Sequence, residues 1–190
     1  NQIVKLLPES QSLITVTRKP FMCERRNHQN IVCDLKPASL EQLTLPSPIE
    51  NVFACLGTTI KIAGSQQKFY EVDHDLVVNV AKLAKRVGAK KLLVVSAIGA
   101  DVNSKIFYSR TKGEMERDVR LAAQGVEIVF TRPSLLLGDR TSLGQPERLG
   151  ELVGQKLAPL YSFLFVGPLK KYSPIQAAEV AKELLGKIKS

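Results

Sequence analysis

The sequence predicts a doubly wound parallel α/β sheet with helices on both faces, and three observations support it. Apolar or β-branched runs of strand length alternate along the chain with amphipathic segments of helix length. Several of those runs read as buried strands. Residues with chemical capacity, namely Arg18, Asp34, Gly57, Ser96 and Pro133, each fall just past such a run. In parallel sheets ligands sit at the carboxyl ends of the strands.

The elements follow in order. Asn1 to Glu9 reads as the tail of an amphipathic helix closed by Pro8. Leu13–Thr17 is a β-branched strand ending at Arg18-Lys19-Pro20. Asn30–Cys33 is a short strand, 39–43 a short helix, and Asn51–Leu56 a buried strand running into Gly57. From Phe69 to Val87, apolar residues recur at spacings of three and four, which predicts one continuous helix stopped by Gly88. Lys91–Val95 is a strand, followed by a helix through Ala123. Val126–Thr131 is the next strand, stopped by Pro133, and 175–189 a final helix.

The 190 residues fit one domain, with 141–175 as a small substrate-side extension. No run of 18 apolar residues occurs, so a membrane span is not expected. The apolar stretch 157–169 is broken by Pro159, Ser162, Gly167 and Pro168, and reads as core or as a lid. No secretory signal is visible. Cys23, Cys33 and Cys55 are odd in number and lack Cys-x-x-Cys spacing. Reduced thiols, no metal site and a cytoplasmic location fit them. The net charge of +9 raises nucleic acid as a partner, but no aromatic residues interleave with the basic ones, so none is expected.

Tyr108 and Lys112 stand four residues apart, about one helical turn, and share a face. A nearby ammonium stabilises phenolate and lowers a tyrosine pKa from its usual value of about 10. Ser96, at the end of the Lys91–Val95 strand, adds a hydroxyl for a substrate carbonyl or carbinol oxygen. Together they form the proton-transfer set that a hydride-transfer enzyme needs. The plain alternative for Tyr-x-x-x-Lys is a solvated helix edge.

Arg18 and Lys19 follow a strand that leads away from a helix. At that tip of a dinucleotide-binding sheet an arginine accommodates a 2′-phosphate, which favours NADP and leaves NAD as the alternative. A surface basic pair is the structural alternative. Asp34, followed by Leu35, can accept from an adenine amino group or serve as a turn residue. Gly57, within Cys55-Leu56-Gly57-Thr58-Thr59, permits close backbone approach. No G-x-G-x-x-G or G-x-x-G-x-x-G occurs. The expectation is that a strand and a glycine-rich turn, central in the order 3-2-1-4-5-6, belong before residue 1.

Cys55-Leu56-Gly57-Thr58-Thr59, Ala63-Gly64-Ser65, Val72-Asp73, Val95–Asp101, Phe107-Tyr108, Lys112-Gly113-Glu114 and Arg132–Arg140 together resemble the atypical short-chain dehydrogenase/reductases. The branch they look most like is that of the Tat-interacting protein and its bacterial relatives. The resemblance spans about residues 1 to 185. It implies a Rossmann-like fold binding NADP(H), with Tyr108 as general acid/base, Lys112 holding the nicotinamide ribose, and Ser96 orienting the substrate oxygen. It implies cofactor contacts at Arg18 and at Pro133, Ser134 and Leu135. Helices near 69–87 and 104–123 pair in dimeric relatives, so a homodimer is open.

Three functions compete: an NADP-dependent oxidoreductase acting on a small carbonyl or alcohol, a regulatory or redox-sensing nucleotide-binding protein, and a nucleotide-sugar epimerase. The epimerase uses the same relay but a larger C-terminal substrate region. Fold-level likeness does not choose among them.

Overall fold

The computed structural model describes residues 2–46, 48–134, 136–137 and 175–188. Its elements are α1 (Gln2–Leu6), β1 (Leu13–Thr17), β2 (His28–Val32), α2 (Pro37–Glu41), β3 (Asn51–Ala54), α3 (Ile60–Ala63) and α4 (Gln66–Tyr70). A π-helical turn (Glu71–Asp75) leads into α5 (Leu76–Arg86), then β4 (Lys91–Val95), α6 (Phe107–Ala122) and β5 (Glu127–Thr131). Two short strands, β6 (Leu136–Leu137) and β7 (Ile175–Gln176), precede α7 (Ala177–Gly186). The extension 141–175 and the 157–169 stretch lie almost wholly outside the described residues.

Every strand pairing is parallel. β1 pairs with β2, and β3-β4-β5 form a second ladder, but β1 and β3 are not hydrogen-bonded to one another. The division falls where the order 3-2-1-4-5-6 has its central strand.

Helix α5 holds the two ladders together. Val77, Val80, Ala81 and Ala84 pack with Ala54, Leu92 and Val94 of the sheet and with Met115, Val119 and Ala123 on and just after α6. Leu83 packs instead with Cys33, Leu35 and Leu40 beyond β2, with Val16 of β1 alongside. On the opposite face Val180 and Leu184 of α7 cover Leu93, and Ile3 of α1 joins them. The result is three layers, with α5 and α6 on one face and α1 and α7 on the other.

The predicted 69–87 helix is continuous from Gln66 to Arg86 and contains one π-helical turn. Apolar spacing does not reveal it, because one wider turn leaves the spacings of three and four on either side in place. Thr59 and Ser65 cap α3 and α4 by accepting from the backbone N–H of Ile62 and Lys68. Arg25 braces the start of the chain, donating to the carbonyls of Leu7, Pro8 and Gln11 at 2.6, 2.6 and 2.8 Å.

Candidate active site

The strand tips of both ladders meet one stretch of helix. Beyond β2, the Leu35 carbonyl accepts from Asn79 Nδ2 at 3.3 Å. Beyond β3, the Thr58 N–H donates to Asp73 Oδ2 at 2.7 Å. Asp73 and Asn79 lie six positions apart at the entry to α5, so the two tips share one end of the molecule. The β4 and β5 tips are joined beyond their strands, with Ser96 N–H to Thr131 O at 2.8 Å and Ile98 N–H to Pro133 O at 2.9 Å.

Tyr108 occupies the first turn of α6 and is 40% exposed, with the Phe69 ring 5.7 Å away. Lys112, one turn on, is 3% exposed. Its Nζ lies 2.7 Å from Asp73 Oδ1, and Asp73 is 2% exposed. An ammonium in such surroundings stays charged only with a partner of this kind. One face of α6 therefore presents a reachable phenol above a buried, compensated cation.

Ser96 is buried, and its Oγ donates to Glu116 Oε1 at 2.6 Å. Arg132 grips the same carboxylate through Nε, at 2.8 Å, and Nη2. A hydroxyl has one hydrogen and two lone pairs. With that hydrogen given to Glu116, Ser96 can meet a substrate oxygen only as an acceptor.

Among the cofactor-side candidates, Arg18 and Lys19 are exposed just past β1, and their side chains have no hydrogen bond or ion pair among the described residues. That donor pair fits a phosphate group. Asp34 is exposed and engaged as a turn residue: Oδ1 accepts from the Lys36 N–H at 3.0 Å, and hydrogen bonds from Ser39 and Lys36 hold its carboxyl below the usual range. Leu35 is buried with φ 62, a left-handed conformation rare for leucine. Cys55 and Gly57 are exposed, whereas Leu56, Thr58 and Thr59 are half-buried. Pro133 is buried and Ser134 half-buried. Leu135 lies outside the described residues.

The spacing argument missed Asp73, Glu116 and Arg132. The available signal was a carboxylate on the apolar face of a helix: Glu116 lies beside Met115 and a turn before Val119, where an acidic residue needs a partner. A cavity of about 400 Å³ bordered by Glu41, Leu45 and Arg86 lies at the far end of α5 from Asp73.

No family model matches the chain. It is 36% identical over 141 residues to the protein fmp52, mitochondrial, of Emericella nidulans, a match covering 73% of this chain and 60% of that one. It is 37% identical over 131 residues to the FMP52 protein, mitochondrial, of Saccharomyces cerevisiae, covering 69% and 55%. The chain thus spans roughly half the length of the curated relatives it matches. Among solved structures, a UDP-galactose 4-epimerase superposes with TM-score 0.67 at 12% identity, covering 99% of this chain and 67% of that one. The Bordetella bronchiseptica enzyme WbmH in complex with NAD+ gives 0.68 at 12% identity, covering 100% and 68%.

The fold is Rossmann-like. It is the parallel α/β sheet architecture that these neighbours share. Two expectations change. The relatives are named for FMP52 rather than for a Tat-interacting protein, so the branch inferred from the motif blocks is not the one they name. The cytoplasmic location is overturned, because the curated relatives are named mitochondrial. Reduced thiols and a missing secretory signal do not distinguish the two compartments, which is why composition misled here.

Proposed function

We propose that this chain is the nucleotide-binding part of an NADP(H)-dependent oxidoreductase acting on a small carbonyl or alcohol, and that it works in mitochondria. The observation that carries the reading is a half-exposed phenol, Tyr108, one helical turn from a buried and ion-paired Lys112, at the carboxyl end of a parallel sheet. NADPH, when bound, supplies the hydride. Tyr108 gives its phenolic proton to the oxygen that gains negative charge, and Lys112 stabilises the phenolate left behind. Ser96 accepts a hydrogen bond from the product hydroxyl. Arg18 and Lys19 offer the positive charge that a 2′-phosphate requires. NAD in place of NADP is the alternative.

The test is turnover of NADPH with short aldehydes and ketones by the full-length protein, against the same assay on Tyr108→Phe. The reading expects activity that the substitution reduces by about a hundredfold or more. Equal rates in the two proteins would remove Tyr108 from the chemistry.

A regulatory, nucleotide-binding role is the second reading, and one observation favours it. The Ser96 hydrogen is committed to Glu116 and so is not offered to a substrate carbonyl. Nucleotide binding that survives Tyr108→Phe, with no substrate turned over, supports this role.

A further inference from the structure

We infer that Asp73 is the positioning residue of this site: one buried carboxylate fixes Lys112 and the backbone of the 55–59 loop as a single unit. The inference rests on the oxidoreductase reading for its chemistry, but not for its geometry. Three separate pieces of chain meet at this side chain. The π-helical turn carries it, α6 brings Lys112 Nζ to Oδ1 at 2.7 Å, and the loop after β3 brings the Thr58 N–H to Oδ2 at 2.7 Å. Gly57 lies against it as well, since a Cβ there would stand 3.5 Å from Oδ1.

The physical consequence is a coupling. The two carboxylate oxygens are shared between a cation and a backbone amide, so neither can shift without the other losing part of its partner. A buried lysine without a counter-charge favours the neutral amine. Asp73 therefore offers Lys112 that counter-charge while holding it beneath α6. The titratable groups placed around Lys112 are Asp73 on the π-helical turn and Tyr108 and Glu116 one turn either side on α6. Glu116 is already taken by Arg132 and Ser96. Asp73 thus supplies the counter-charge of Lys112, and a nucleotide that touches the 55–59 backbone is felt at the lysine through the same carboxylate.

Asp73→Asn is the informative substitution, because it keeps the shape and an acceptor for the Thr58 N–H while deleting the charge. In the full-length protein we expect kcat for NADPH-dependent reduction to fall about tenfold or more. The alkaline limb of its pH profile should move to lower pH. In 13C-lysine NMR, the Lys112 Cε resonance should titrate at lower pH in the variant. Wild-type 15N spectra supply a check if the variant does not fold: the Thr58 amide must shift together with Lys112 Cε over one pH range.

A purely structural Asp73 gives a different result. Stability falls, but the pH profile and the Lys112 titration stay where they are in the wild type, and the inference is overturned. A Thr58 amide that shifts over a different pH range from Lys112 Cε overturns it too. If wild-type protein reduces no carbonyl compound, the oxidoreductase reading fails, while the NMR titrations still decide the role of Asp73.

Discussion

Arg132 holds Glu116 through two guanidinium nitrogens, and the carboxylate so fixed takes the hydroxyl hydrogen of Ser96. This relationship joins the ends of β4 and β5 to the middle of α6. Glu116 is 6% exposed, and the two donors compensate the burial of its carboxylate. Arg132→Ala should lower unfolding free energy by about 2 kcal/mol, less than the ~3–5 of a fully buried pair because half of the Arg132 side chain is exposed. Urea denaturation measures it. A midpoint equal to that of the wild type would show that water replaces the arginine without cost.

Gly113 is required by contact rather than by backbone angle. A Cβ there would lie 2.3 Å from both the Asp101 carbonyl carbon and the Val102 nitrogen. Alanine in an exposed helix normally stabilises by about 1 kcal/mol over glycine. Here the sign should reverse, and Gly113→Ala should cost about 1–3 kcal/mol as the 101–102 backbone is pushed off α6. Thermal melts of the two proteins decide the sign.

Acid should weaken the contact between the π-helical turn and α6 through Asp118. Arg117 donates to its carboxylate and outweighs the opposing effect of burial, His74 adds a hydrogen bond at 2.9 Å, and its pKa is held at about 2. The folded value lies below the unfolded value of 3.8, so this stability is complete above pH 4. It is lost as pH falls from about 4 toward 2. Asp118→Asn should flatten that part of the stability–pH curve. An unchanged acid limb would place the loss elsewhere.

Arg18→Ala should weaken NADPH binding by about 10- to 100-fold, the value of a charge-assisted hydrogen bond, and leave NADH almost untouched. Calorimetric titration of both nucleotides separates these. Equal losses would make Arg18 a general electrostatic contributor, not a reader of the 2′-phosphate.

Much of this molecule was legible in the order of residues. Strands at 13–17, 51–54 and 91–95 and the helix bearing Tyr108 fall where apolar runs and spacings place them, because strand and helix periodicity are local properties. The tyrosine–lysine relation is likewise a matter of four positions on one helix. Asp34 shows the limit. Its residue type allows a turn or a ligand contact, and only the Lys36 and Ser39 hydrogen bonds show that the turn is made.

What the sequence alone determined is the α/β alternation, the placing of candidate groups past strand ends, and the helical spacing of Tyr108 and Lys112. The tertiary structure alone decided that Lys112 faces Asp73, that Ser96 serves Glu116, and that one turn of the long helix is π-helical. The reason is physical. A buried charge must find a partner, and that partner is chosen by which elements pack together, a long-range outcome that no local spacing records.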